Sequence, residues 1–163
     1  MINKSTLQMI GLLTVVGLYL SYAHTRYVIA ANSTASNCLQ ATYFLVDTWD
    51  KEVKAGQLAA FTMNVENKLY PVGRKWIKQV AATEGMTVNV TTEQTTISDG
   101  RVIKNNMEHT MAYLNISPDE IKQTTTLAAG QLFMMGDTKT TYDSRYWGPI
   151  QQADVIGVAY ALF

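Results

Sequence analysis

A single cysteine, Cys38, leaves the chain without a partner for an internal disulfide. There is no Cys-x-x-Cys pair and no His-Glu-x-x-His stretch, and the only histidines are His24 and His109. That inventory excludes a structural zinc site, and no metal or other cofactor is expected. Neither Gly-x-x-x-x-Gly-Lys-Ser/Thr nor Gly-x-Gly-x-x-Gly occurs, so nucleotide-binding folds have no support. Charge is scarce too, at 16% of residues, against roughly 25% in soluble domains. Lys plus Arg and Asp plus Glu number 13 each, and no basic block stands out. That balance argues against nucleic acid as a partner. With 47% hydrophobic residues in a chain of 163, the sequence suits one domain of ordinary size, with part of it outside water.

That part is the amino-terminal end. From Ser5 through Thr25 there is no Asp, Glu, Lys or Arg, and the core of the run reads Leu7-Gln-Met-Ile-Gly-Leu-Leu-Thr-Val-Val-Gly-Leu-Tyr-Leu-Ser-Tyr-Ala23. About twenty helical residues cross a bilayer, so this run suffices. Tyr19 and Tyr22 sit toward one end, where aromatic rings favour the lipid–water interface. A cleaved secretory signal is the alternative, since Ser21 and Ala23 are small residues at the spacing such cleavage needs. In the anchor reading, residues 1–26 are a membrane helix and residues 27–163 a domain on the far side. Charge does not set the orientation, because Lys4 and the amino terminus balance Arg26 and His24. Lipidation of Cys38 fits badly, with Asn37 directly before it and the apolar run far away.

Residues 27–37 end in small polar side chains and read as a juxtamembrane connector. Beyond them, short apolar stretches alternate with turn signals. Strands are expected at 42–46, 57–63, 76–82, 87–90, 132–135 and 155–162, with a hairpin over 95–103 turning at Asp99-Gly100. Ser117-Pro118-Asp119-Glu120 combines a serine cap, proline at the first helical position and a glutamate that closes a capping box. It predicts a short helix ending near Gln123. No long amphipathic helix follows the first. The fold expected is mainly β.

Three places offer chemistry. Ser36-Asn37-Cys38-Leu39 lies just beyond the apolar run. In Trp76-Ile77-Lys78-Gln79-Val80, strand periodicity puts Trp76, Lys78 and Val80 on one face. Desolvation disfavours an ammonium, so a lysine on such a face can serve as a general base near neutral pH. The third place is Gly136-Asp137 followed by Tyr142-Asp143-Ser144-Arg145-Tyr146-Trp147-Gly148-Pro149, dense in polar and aromatic side chains. Each has a plainer reading. A lone cysteine is usually a small buried hydrophobe, and a strand lysine is usually solvated or an edge gatekeeper. Asp143 and Arg145 read as a structural ion pair in either case. His109 reads as a loop or helix residue.

These three places, in this order, resemble type I signal peptidases, the membrane-bound serine/lysine proteases. Gly136-Asp137 and Asp143-Ser144-Arg145-Tyr146-Trp147-Gly148 are similar to the family's Gly-Asp … Asp-Ser-Arg-x-Trp-Gly signature. Ile77-Lys78-Gln79-Val80 leading to Glu84-Gly85-Met86-Thr87-Val88 resembles its lysine box. Gln57–Phe61 and Val155–Ala159 match the strand before that box and the closing strand. The compact middle looks most like the TraF-type peptidases of conjugative plasmids, which process pilin precursors. The resemblance implies a signal-peptidase-like β domain of twisted antiparallel sheets with short helices, behind one transmembrane helix. It also implies a bacterial inner-membrane location with the domain in the periplasm. The expected partners are the lipid bilayer and a pilin precursor or other exported transfer protein; oligomeric state is left open.

The family's nucleophile is a serine followed by proline, and here two alignments compete. Either Ser36 is the nucleophile, or Cys38 replaces it, with Gln40 where the proline would stand. Spacing to the strand at 41–46 favours Cys38. That choice leaves Ser36 where some relatives carry a serine whose hydroxyl joins the Cys38 backbone N–H in the oxyanion hole. The resemblance makes Lys78 the base, with Lys75 as competitor on the opposite strand face. It makes Thr141 the counterpart of a serine that orients the lysine, and Asp143 and Arg145 structural supports. TraF-type relatives also join pilin ends into a ring. A non-catalytic assembly factor that keeps the fold and binds pilin is the alternative.

Overall fold

The computed structural model describes residues 3–31, 38–138 and 141–163. Its first element is helix α1 (Lys4–Arg26), opened by the Asn3 side chain, which accepts from the Ser5 N–H. None of its residues is buried, and Leu12, Leu18 and Tyr19 stand in the open. The helix is long and apolar enough to cross a bilayer.

The expected connector is partly a strand. Tyr27–Ala31 forms β1, continuous with α1 and paired antiparallel with β2 (Tyr43–Asp47). Its Tyr-Val-Ile-Ala-Ala run is rich in strand-forming residues, and the small polar side chains begin only after it. Residues 32–37, and with them Ser36, lie outside the described residues.

The chain continues through β3 (Leu58–Met63), β4 (Arg74–Ala82), β5 (Thr87–Val90), β6 (Gln94–Ile97) and β7 (Val102–Lys104). Helices α2 (Glu108–Leu114) and α3 (Pro118–Ile121) follow, then β8 (Gln123–Thr126), β9 (Gln131–Met135), α4 (Ser144–Trp147), β10 (Ile150–Gln151) and β11 (Val155–Ala161). The strands make two antiparallel sheets, a seven-stranded one in the order β1-β2-β11-β3-β4-β9-β10 and a four-stranded one in the order β7-β6-β5-β8. This is the mainly β architecture the sequence predicts, with short helices behind one long apolar helix.

Local chemistry accounts for most of it. The β6–β7 hairpin turns at Asp99-Gly100, where Gly100 adopts φ 95°. Ser117 and Glu120 form the predicted capping box of α3. Strand β9 is buried on both faces: Leu132 and Met134 pack with Phe61, Val80 and Trp147, while Phe133 and Met135 pack with Val88, Ile97 and Met107. It therefore reads as a continuous apolar run rather than an alternation, and it divides the two cores. Among the elements not expected are helix α2, in which His109 takes the helical one of its two readings, and β8, which Gln123-Thr-Thr-Thr126 forms against β5 without an apolar residue.

Candidate active site

Strand β4 carries Lys78 into the interior. Trp76 and Val80 share its face, as strand periodicity predicts, and the lysine is 1% exposed. Its Nζ donates to Thr141 Oγ1 at 2.9 Å and lies 5.2 Å from the centroid of the Trp76 ring. Among the described residues no carboxylate forms an ion pair with it. Lys75, the competing base, is exposed, lies on the opposite strand face and pairs across the sheet with Thr62, but it too borders the cavity that Lys78 lines.

Cys38 is half-buried. Together with Lys78, Trp76 and Tyr142 it lines a cavity of about 590 Å³ whose apolar side is formed by Val28 and Ala30 of β1 and Phe44 of β2. Those three apolar residues were not among the sequence candidates, because they reach the site only through pairing of β1 with β2. The Cys38 carbonyl accepts from Asp137 N at 2.9 Å, which ties the cysteine turn to the Gly136-Asp137 segment. Ser36, the expected second oxyanion donor, lies outside the described residues.

Gly136 is the point where these pieces meet. A Cβ there would sit 2.5 Å from Thr141 Oγ1 and 2.7 Å from the Cys38 carbonyl oxygen, so no larger residue fits. The first Gly of the Gly-Asp signature thus holds the lysine's hydrogen-bond partner and the cysteine's backbone at one spot.

Behind it stands a buried ion pair. Arg145 Nε and Nη2 donate to the two oxygens of Asp143, each at 2.8 Å, and both residues are 1% exposed or less. Burial opposes the guanidinium charge, but the Asp143 carboxylate outweighs it and holds the Arg145 pKa above its ordinary value. Further hydrogen bonds tie the pair in place. Gly136 N donates to Asp143 Oδ2 at 3.1 Å, and Arg145 Nη2 reaches the Thr141 carbonyl at 3.3 Å. Arg145 Nη1 donates to Asn105 Oδ1 at 2.9 Å, a partner forty positions away that sequence reasoning missed. The pair therefore orients both ends of the segment that carries Thr141.

Thr141→Val tests this positioning role while keeping the side-chain shape. The expected result is a loss in kcat of about 10- to 100-fold, the scale of a misplaced reacting group, with little change in KM. Thr141→Ser should restore most of the rate. An equal rise in KM, or no rescue by serine, would mean that the hydroxyl does not orient Lys78.

The family described as signal peptidase, peptidase S26 matches residues 2–163 of this chain. Among solved structures, the chain is similar to a signal peptidase I from Enterococcus faecalis V583, at 24% identity over 67% of this chain and 97% of that one, with a TM-score of 0.45. No curated protein matches it. A chain matched over almost its whole length, with a buried lysine beside a Gly-Asp … Asp-Ser-Arg-x-Trp-Gly segment, belongs to the signal peptidase S26 family, serine-type peptidases whose substrates are precursor proteins.

Proposed function

We propose that this protein is a single-pass inner-membrane peptidase of a conjugative transfer system. It cuts a pilin precursor or another exported transfer protein with Cys38 as nucleophile and Lys78 as base. Residues 1–26 are then the anchor and residues 27–163 the periplasmic domain. The observation that supports this best is the shared cavity: Cys38 and Lys78 both line it, and Lys78 is held by Thr141. Beside them β4 offers a free edge. Among the described residues it pairs with β9 only from Gln79 onward, so the stretch 74–78 is open to an extended peptide that adds as a strand.

In this mechanism the Lys78 amine takes the Cys38 thiol proton as sulfur attacks the scissile carbonyl carbon. The carbonyl oxygen becomes an oxyanion held by the Cys38 N–H and the Ser36 hydroxyl. Collapse breaks the C–N bond, and the lysine ammonium returns the proton to the departing amine, which leaves a thioester. Lys78 then accepts a proton from the resolving nucleophile and delivers it to the leaving sulfur. Water as that nucleophile gives a linear product. The pilin's own amino group gives a ring, and thioesters favour amines as acceptors over what an oxygen ester would allow.

Mass spectrometry of the pilin from cells with and without the protein reads both steps. The expected product has the mature mass less one water. A linear mature product removes the ring closure but keeps the peptidase. Unprocessed precursor in both strains removes the peptidase. Normal processing by Cys38→Ala and Lys78→Ala would leave a pilin-binding assembly factor in its place.

A further inference from the structure

The join between helix and domain is built far more firmly than a tether requires. Strand β1 begins at the residue that caps α1, with no loop between them: Tyr27 N donates to the Ala23 carbonyl. Arg26 Nε donates to both oxygens of Asp47, at 3.0 and 2.9 Å, and Nη2 adds a third bond. The Thr48 backbone N–H and hydroxyl both donate to the Arg26 carbonyl, at 2.9 and 2.8 Å. Arg26 Nη1 donates to the Tyr22 hydroxyl at 2.8 Å, and the Tyr22 ring meets Trp49 edge-on with centroids 5.3 Å apart.

Asp47 is buried in the sheet, 4% exposed, and hydrogen bonds from Arg26 hold its carboxyl below the ordinary carboxylate range. Strand β11 passes so close that a Cβ on Gly157 would lie 2.1 Å from the Asp47 carbonyl oxygen. Trp49 and Tyr22 are exposed aromatic rings at the helix end, the kind of side chain that marks the lipid–water boundary.

Register links this junction to the chemistry. Asp47 pairs with Val158, Val158 with Ala59, and Ala59 with Lys78. The clamp and the lysine therefore occupy one rung of one sheet, three strand spacings or ~14 Å apart. No loop intervenes that would let one rise while the other stayed.

We propose that the Arg26–Asp47 pair is a positioning clamp that sets the height of the reaction centre over the bilayer, so that the cleavage site is selected by its distance from the membrane. The proposal rests on Cys38 and Lys78 cutting peptides, and its test keeps the two apart. The full chain is reconstituted in phosphatidylcholine/phosphatidylglycerol vesicles. One substrate is membrane-inserted and carries identical cleavable sites at successive distances from its apolar segment. The other is a soluble peptide with a single such site.

The wild type is expected to cut the inserted substrate at one site. Asp47→Asn and Arg26→Gln should spread cutting over neighbouring sites and lower the rate at the original one about tenfold, as misplacement does. Soluble-peptide cleavage should stay within about twofold, since no reacting group has moved. Unchanged site choice in both variants, or equal losses on both substrates, would overturn the clamp. If the wild type cuts neither substrate, the peptidase reading fails, and a second measurement decides the clamp alone. A nitroxide on Cys38, the sole thiol, should report one narrow immersion depth by electron paramagnetic resonance, broadened in both variants. The same narrow depth in all three proteins would overturn it.

Discussion

Cys38→Ala is expected to abolish precursor cleavage, a loss of about 10⁴-fold or more, because the acyl-enzyme cannot form without a nucleophile. Lys78→Ala should lose about 10²- to 10⁴-fold, the usual worth of a positioned proton acceptor. The two losses should not add in the double variant, since each removes one half of a single device. Cys38→Ser is the informative partner. A hydroxyl gives the lysine harder work than a thiol, so cleavage should slow without vanishing. The oxygen ester it forms is a poorer acyl donor to amines, so the product should shift from ring to linear chain. The measurement is mass-resolved kinetics on purified pilin precursor in detergent or vesicles. Full activity in Cys38→Ala would remove the thiol from the mechanism. A selective loss in a variant at Ser36, with Cys38→Ala active, would move the nucleophile to the serine.

The second large effect is on stability. Arg145→Ala leaves the Asp143 carboxylate buried and unpaired, a change that typically costs 3–5 kcal/mol, about the size of a domain's smaller net stabilities. Asp143→Ala strands the guanidinium in the same way. Replacing both with apolar residues of similar volume should cost much less, since no buried charge is left over. Arg145→Lys should not substitute well, because one ammonium cannot span both Asp143 oxygens, the Thr141 carbonyl and Asn105. Denaturant midpoints of the four variants test the set. Single-variant midpoints equal to the wild type would show that the pair does not hold the fold.

What the sequence could disclose was what chain neighbours decide. Asp143 and Arg145 are two residues apart, so their pairing is local, and Lys78 sits in a strand whose alternation is visible. The Ser117 cap and the Asp99-Gly100 turn are local in the same way. Asn105 and the β1 wall of the cavity were hidden, because their roles depend on residues brought near only by folding. Strand β8 was hidden for another reason: its polar threonines show no alternation, and it is a strand because β5 offers it a ladder. In β1 the apolar start was masked by the polar stretch that follows it.

The smaller sheet leaves the larger one and returns to it through one narrow neck. Gly85 N donates to the Leu127 carbonyl and Leu127 N to that of Met86, each at 2.9 Å, and Gly130 N reaches Glu84 at 3.2 Å. The excursion from 83 to 130 is therefore closed off at its base, and beside that base the tip of the β6–β7 hairpin exposes Ser98, Asp99 and Gly100, with Ser98 N donating to the Thr87 carbonyl at 2.9 Å. Added length at that tip carries little entropic penalty, about 0.6 kcal/mol for each doubling of a loop. This makes the tip the natural attachment point for a fluorescent reporter or an affinity handle, leaving both chain ends untouched. The opposite end of the β6–β7 hairpin offers no such freedom, because Asn105 grips Arg145 there.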